Sequence, residues 1–298
     1  METLGYTKIL TLGSVGTERA LIGPVVVQEK VDGSQFRFYR DADGELHFAS
    51  HKADVYRGSE GMFKYAVEHL CSLPVRSINR ELLFCCEYLA KPKHNTLAYA
   101  TIPTNHLVLF DVYDMENGQW LDRPEMFGWA STLAIDLIPQ LAKGPVTLER
   151  LQELLQTESY LGGQTVEGVV VKNHGELVAI GGRAFPLFTK LVNQSFKERN
   201  AAEWKVNSGK SQLQDYIDSF NTEARYHKAV QHLTESGVLE GSPRDIGALT
   251  KEIAVDIEEE EAENIKAALY AMHRKDIIRS AQRGFPEWYK AQLLERVE

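Results

Sequence analysis

Val25-Val26-Val27-Gln28-Glu29-Lys30-Val31-Asp32-Gly33-Ser34 is a β-branched run that delivers a lysine and an aspartate, two positions apart, into a glycine turn. Residues i and i+2 of an extended chain point to the same side. Lys30 and Asp32 are therefore expected to face one place at the end of a strand. A lysine held in a pocket can lose its proton through desolvation or a neighbouring metal and become a nucleophile. An aspartate on the same side could hold that metal or a ribose. The pattern Lys-x-Asp-Gly also suits a solvated ion pair at a surface strand end, and four residues do not separate the two.

Around this stretch, as far as about residue 194, the punctuation is that of β-structure. Phe36 to Arg40 and Leu46 to Ser50 flank Asp43-Gly44, and Leu107 to Tyr113 and the segment around Trp120 flank Asn117-Gly118. Val169 to Lys172 and Leu177 to Ile180 flank His174-Gly175, so three antiparallel hairpins are predicted. Helical periodicity is interleaved at Gly61 to Leu70, Glu125 to Leu141 and Leu148 to Leu155. After Asn193 strand signals stop, and 3.6-residue patterns run over Phe196 to Val206, Leu213 to Leu233, Ile246 to Ile278 and Pro286 to Val297. Ser242-Pro243-Arg244-Asp245 is a helix start: a capping serine, a proline in the first turn and an acid at the positive end of the helix dipole. The expected class is α+β, an antiparallel-sheet domain over residues 1–194 followed by an all-helical domain over 195–298.

Composition sets outer limits. A chain of 298 residues, 43% hydrophobic and 25% charged, is an ordinary globular one, which sets aside disorder, collagen and coiled coil. With 33 Lys and Arg against 42 Asp and Glu the net charge is -9, so binding of nucleic acid through bulk positive charge is disfavoured. The excess is local. Glu240 to Asn264 holds nine acids against two bases, and so carries -7 of the -9. Its run Glu258 to Glu261 reads as a solvated helix face pointing away from any binding groove. The three cysteines Cys71, Cys85 and Cys86 make neither an even disulfide framework nor a C-x-x-C pair, and are expected to be small buried residues in a reducing compartment. With no signal-like start and no apolar run of about 18 residues, the expected location is the cytoplasm, a host's if the chain is of phage origin.

Four further blocks share the character of the first, each an apolar, strand-like run presenting one or more charged groups. They are Phe84-Cys85-Cys86-Glu87-Tyr88, Leu109-Phe110-Asp111-Val112, Val166-Glu167-Gly168-Val169-Val170-Val171-Lys172 and Leu187-Phe188-Thr189-Lys190-Leu191-Val192. With Lys30 to Gly33, in this order and at these distances, they resemble motifs I, III, IIIa, IV and V of the covalent nucleotidyltransferases, the polynucleotide ligases and capping enzymes. Glu29 before the lysine, and the block Glu87-Tyr88-Leu89-Ala90-Lys91-Pro92-Lys93-His94-Asn95-Thr96-Leu97-Ala98-Tyr99, look like the RNA ligase 2 type. The resemblance covers roughly residues 5 to 195 and implies an ATP-grasp-like ligase domain.

The resemblance implies an ATP-dependent RNA ligase of RNA repair, in which Lys30 attacks the α-phosphate of ATP, carries AMP covalently and passes it to a 5'-phosphate RNA end for sealing to a 3'-OH end. Asp32, Glu87 and Glu167 would hold Mg2+ or Mn2+, and Glu87 or Asp32 would also reach the ribose. Phe110 would stack on adenine, Glu29 would contact it, and Gly33 and Gln35 would lie by the phosphate or ribose. Lys172 and Lys190 would bind phosphates and complete the catalytic set with Lys30. The implied partner is RNA, as a nicked duplex, bound by a monomer without a membrane. Core, surface or strand-end roles stay open for Phe110, for Lys172 and Lys190, and for Glu29 and Gln35.

Two departures matter. Motif V usually reads Lys-x-Lys, whereas Lys190-Leu191-Val192 ends in valine, so one phosphate contact is missing or comes from elsewhere, with Lys197 and Arg183 as candidates. Motif Ia usually has an arginine after a serine, whereas Ser50-His51-Lys52 has histidine and lysine, with Arg57 as a substitute. DNA ligases and capping enzymes share Lys-x-Asp-Gly, but they also carry an OB-fold after motif V, which the helical tail does not match. An NAD-dependent DNA ligase is disfavoured because Lys30 lies so near Met1. A degenerate nucleotidyltransferase that binds RNA without sealing is the non-enzyme alternative. For gripping RNA the tail offers Lys197, Arg199, Lys205 and Lys210, then Arg274, Lys275, Arg279 and Arg283.

Overall fold

The computed structural model describes residues 5–51, 53–74, 78–180, 183–193 and 212–295. The strands are β1 (Leu10–Thr11), β2 (Val25–Lys30), β3 (Ser34–Arg40), β4 (Leu46–Ser50), β5 (Asp54–Val55), β6 (Leu82–Tyr88), β7 (Leu107–Asp114), β8 (Gln119–Trp120), β9 (Asp136–Leu137), β10 (Gln140–Gly144), β11 (Gly168–Ile180) and β12 (Arg183–Val192). The helices are α1 (Lys64–Ser72), α2 (Arg123–Leu133), α3 (Leu148–Leu154), α4 (Gln212–Asp218), α5 (Glu223–Glu235), α6 (Ile246–Gln282) and α7 (Phe285–Glu295).

The strands form two sheets, one ordered β1-β12-β11-β2-β10 and the other β5-β4-β3-β6-β7-β8, with β9 pairing parallel to β7. Val25 and Val27 turn one face of β2 onto Leu151, Leu154 and Val169 under α3. The second sheet buries Phe36, Phe38, Phe63 and Phe84 under α1 and α2, with Phe38 stacked on Phe84 at 4.9 Å. A smaller cluster, Val31, Leu89, Tyr99, Val108, Ile138 and Leu161, includes the turn that carries the chain from β2 in one sheet to β3 in the other. The strand-to-turn reading of residues 25–34 thus marks the crossing point between sheets.

Two of the three predicted hairpins form, β3–β4 and β7–β8. The third does not. Residues 168–180 are one strand with a register shift between Asn173 and Leu177, and its hairpin partner is β12, with Ile180 opposite Arg183. His174-Gly175 makes a bulge because Asn173 Oδ1 accepts from the N–H groups of Gly175 and Glu176, while its Nδ2 reaches the carbonyl of Ile22 at 2.8 Å. The helix expected to run to Leu141 stops at Leu133, where Ala134 is left-handed at φ 52°, and the remainder becomes β9 and β10.

Residues 212–295 contain only helices and turns among those described. The pattern over Leu213 to Leu233 splits into α4 and α5, and Phe196 to Val206 lies outside the described residues. Ser242 caps the expected helix start and forms a capping box with Asp245, and α6 follows, 37 residues or about 55 Å long. No helix among the described residues is long and apolar enough to cross a membrane. Cys85 and Cys86 are buried as expected, but Cys71 is exposed on α1.

Candidate active site

A cleft of about 1530 Å³ lies where the two sheets meet the helical segment. One sheet contributes Lys30 from the end of β2, Glu167 just before β11, and Lys172 and Lys190 from β11 and β12; the other contributes Gln35, Glu87 and Phe110. Glu29, Asp32 and Gly33 line it as well, so it gathers the catalytic, nucleotide-binding and metal candidates of the five motif blocks.

Lys30 Nζ donates to both carboxylate oxygens of Glu167 at 2.8 Å. This contact depends on Gly168, which pairs with Lys30 across β2 and β11, and at which a Cβ would stand 2.5 Å from the carbonyl oxygen of Leu191. Burial by itself would depress the Lys30 pKa, yet Glu167, Glu87 and Asp32 outweigh it and hold the ammonium above its ordinary range. The expected depression of this pKa is therefore absent from the arrangement seen, and the carboxylates must be drawn off before the amine is free. Glu87 sits against the same group, pushed up to about 8 by burial despite the pull of Lys30, with Glu167, Glu235 and Asp32 adding repulsion.

Asp32 makes contacts that the motif pattern does not specify. Its Oδ2 accepts from the backbone N–H groups of Thr96 at 2.8 Å and Leu97 at 2.7 Å, and its own N–H donates to Tyr99 Oη. Among the described residues no three His, Cys, Asp or Glu side chains stand as a ready metal cluster, because Asp32 fastens this loop and Glu167 closes on Lys30. In charge the residues do fit a cation: three carboxylates face one ammonium, and burial together with mutual repulsion raises Glu87 and Glu167.

The loop over 89–99 is held onto the crossing turn. Asn95 Nδ2 donates to the carbonyl of Gly33 at 2.6 Å, and His94 bridges Ser34 and Ala90. A Cβ at Gly33 would lie 2.7 Å from the carbonyl oxygen of Tyr88 and as close to Glu87 and Leu89, so close backbone approach explains the glycine. Gly33→Ala is expected to lower stability by about 1–3 kcal/mol, measured by urea unfolding, because a backbone oxygen must move. In His94 the Nδ1 accepts from the Ala90 N–H, so the ring is neutral with its proton on Nε2, donated to Ser34 Oγ. Burial lowers its pKa from 6.5 to about 4. The unfolded chain then takes up the proton first on acidification. The stabilisation is full above about pH 6.5 and is lost as pH falls through about 4. His94→Gln should flatten this acid limb by about 1–2 kcal/mol in unfolding measured from pH 7 to 4, allowing for the partly exposed ring.

Glu29 is buried, accepting from Ser159 Oγ and from the Tyr160 N–H at 3.2 Å, and burial raises its pKa. Lys172 is no surface lysine. It is 2% exposed, pairs with Asp111 Oδ1 at 2.6 Å, donates to the Phe110 carbonyl at 2.9 Å, and its Nζ lies 5.8 Å from the Phe110 ring centroid. Tyr6 Oη donates to the same Asp111, and the Tyr6 ring meets Phe110 edge-on at 5.2 Å. Phe110 is only partly buried and presents a ring to the cleft. Gln35 Oε1 is buried in the cleft wall without a hydrogen-bond partner among the described residues.

Motif reading missed Tyr6, Gln28, Tyr99 and Ser159, whose roles depend on contacts across the sheets. It also missed the helical wall. Gln231 Nε2 on α5 donates to the Gly33 carbonyl at 3.0 Å, and Lys228, Arg225, Glu259 and Glu260 line the cleft. The run Glu258 to Glu261, expected to point away, instead sends Glu260 to Lys190 at 3.8 Å, because lysines at the sheet edge and on α5 attract it. His51 lines the cleft with its ring 5.9 Å from that of His232. Arg57 is exposed beside Cys71 and does not line the cleft. Lys52, Lys197, Arg199, Lys205 and Lys210 lie outside the described residues, as does the side chain of Arg183. Arg274, Lys275, Arg279 and Arg283 are exposed on the far part of α6 and just beyond it.

A family model described as RNA ligase matches residues 23–187. Among solved structures, an RNA ligase of Naegleria gruberi with pyrophosphate shares 18% identity at a TM-score of 0.50, over 67% of this chain and 59% of that one. A variant of the same ligase with ATP and Mn gives 16% identity and a TM-score of 0.48, over 65% of this chain and 57% of that one. The chain thus spans less than two thirds of the length of these structures. No curated protein sequence matches it.

Proposed function

The chain belongs to the RNA ligase family, and we propose that it is an ATP-dependent RNA ligase whose nucleophile is Lys30. The observation that carries this is Lys30 Nζ in the cleft between the sheets and the helical segment, beside the carboxylates of Glu167, Glu87 and Asp32, with Lys8, Lys172, Lys190 and Lys228 also lining it. The proposed division is a nucleotidyltransferase domain to residue 194 and a helical domain beyond it.

In the proposed reaction the Lys30 amine attacks the α-phosphorus of ATP, forming an N–P bond as the bond to pyrophosphate breaks. A 5'-phosphate oxygen of RNA then displaces the lysine and takes the AMP. Attack by the 3'-OH forms the phosphodiester and releases AMP. Lys30 must first give up the proton that the surrounding carboxylates Glu167, Glu87 and Asp32 stabilise. A divalent cation, Mg2+ or Mn2+, would supply charge neutralisation for the triphosphate and weaken the hold of the carboxylates on the Lys30 proton. Glu87 and Glu167 would hold it, with Asp32 keeping the loop over 94–97 in place.

Phe110 supplies the face for adenine, Glu29 and Gln28 border it, and the unpartnered Gln35 Oε1 offers an acceptor to a ribose hydroxyl. Lys190 serves the phosphates. The charge of Lys172 is already taken by Asp111, so its role is to seat Phe110 and brace the floor of the cleft.

The reading is tested by incubating the full chain with ATP labelled on the α-phosphate and Mg2+ or Mn2+, with unlabelled ATP, GTP and NAD as competitors. Label on the protein, removed by competing ATP alone, is expected; no label with any of several divalent metals overturns the reading. Sealing of a nicked RNA duplex, compared with nicked DNA and single strands, tests the substrate, and a preference for all-DNA nicks would overturn the RNA assignment.

A further inference from the structure

Lys190 on β12 and Lys228 on α5 come from different parts of the chain, yet both point at one oxygen. Glu260 Oε1 on α6 lies 2.8 Å from Lys228 Nζ and 3.8 Å from Lys190 Nζ, within the cleft that holds Lys30. All three side chains keep some exposure, 22% for Lys190, 30% for Lys228 and 33% for Glu260, so an incoming anion can reach them. A single carboxylate oxygen between two ammonium groups occupies the position a phosphate oxygen takes between two lysines. Both lysines hold Glu260 ionised, with its pKa lowered to about 2 against the opposing effect of burial.

We propose that Lys228 and Lys190 together form the binding place for the pyrophosphate portion of the nucleotide, and for free pyrophosphate, with Glu260 as an internal competitor that the ligand displaces. This deepens the ligase reading and rests on it. It also answers the valine at position 192: a second cation reaches the phosphates from the helical segment, on α5, rather than from β12. A pyrophosphate brings several negative charges where Glu260 brings one, so the exchange favours the ligand. Lys228 does not travel alone in this exchange, since Asp256, buried beneath it, pairs with both Lys228 and Arg225 and anchors α5 to α6.

The rival explanation is that the Lys228–Glu260 pair only ties two helices together. The two accounts predict different signs. The full chain is titrated with inorganic pyrophosphate and Mg2+ by calorimetry, and the KM for ATP is measured in the labelling assay. If the lysines form an anion site, Glu260→Gln tightens pyrophosphate about threefold or more and lowers the KM. Lys228→Gln weakens pyrophosphate about tenfold and raises the KM, and Lys228→Arg restores binding to within about threefold. A structural tie makes Glu260→Gln and Lys228→Gln change binding in the same direction, or not at all, and that result overturns the proposal. If Lys228→Gln does not fold, Glu260→Gln decides alone: unchanged or weaker binding overturns it. Labelling of the unaltered protein by ATP reports separately on the ligase reading, so failure of one is told apart from failure of the other.

Discussion

Lys30→Arg is expected to abolish labelling by ATP, a loss of more than about 10⁴-fold, while leaving the melting temperature within a few degrees of the unaltered protein. Arginine keeps the positive charge that faces Glu167, Glu87 and Asp32, and its fork can still meet the Glu167 carboxylate that now lies 2.8 Å from Nζ. The fold therefore keeps its neutralised cluster. What disappears is a nitrogen able to lose a proton, because the guanidinium stays protonated at any working pH. The substitution separates the two roles of position 30. Lys30→Ala removes both, and should lower stability as well, since the carboxylates around Lys30 then repel one another without a counter-ion. Labelling of Lys30→Arg at a measurable rate would place the nucleophile elsewhere.

Lys172→Met is expected to cost about 3–5 kcal/mol in urea unfolding, the largest stability loss expected of the substitutions considered. Lys172 and Asp111 are 2% and 3% exposed and meet at 2.6 Å, so removing the ammonium leaves a buried carboxylate whose one remaining side-chain hydrogen bond among the described residues is from Tyr6 Oη. Methionine fills most of the volume, which makes the loss electrostatic rather than a cavity effect. Pairing Lys172→Met with Asp111→Leu should recover a large part of it, because no uncompensated charge then remains. A phosphate ligand waiting for substrate would behave in the opposite way: its removal would relieve charge crowding, stabilise the empty protein and weaken nucleotide binding. Stabilisation by Lys172→Met would therefore return Lys172 to the phosphate role.

Both predictions turn on groups that the linear chain already displayed. Lys30, Glu167 and Lys190 were legible because each ends or punctuates an apolar strand, and a charge in such a run has to face a pocket, a partner or water. The hairpins at Asp43-Gly44 and Asn117-Gly118 were legible for a similar reason: their turn residues encode the backbone conformation within two positions. His174-Gly175 misled because the side chain of Asn173 takes the backbone N–H groups a turn would have used, and that depends on the carbonyls of residues 19–22 lying beside it. Helix α2 was overextended because Ala134 in a left-handed cap carries no warning in its identity.

Pattern and order along the chain were enough for the α+β class, the helical tail, the glycine turn at Gly33 and the identity of the family, since these rest on interactions between near neighbours and on the spacing of five motifs. The partner of each charge was not accessible in that way. Lys172 is bound to Asp111, Asp32 to the loop at Thr96, and Glu260 to lysines 70 and 32 positions before it. Attraction between charges depends on distance through space and on the water excluded from between them, and neither quantity is written in the order of the residues. The acidic stretch shows this most plainly: its charge could be counted from the sequence, but only folding brings Glu260 over the lysines of the cleft.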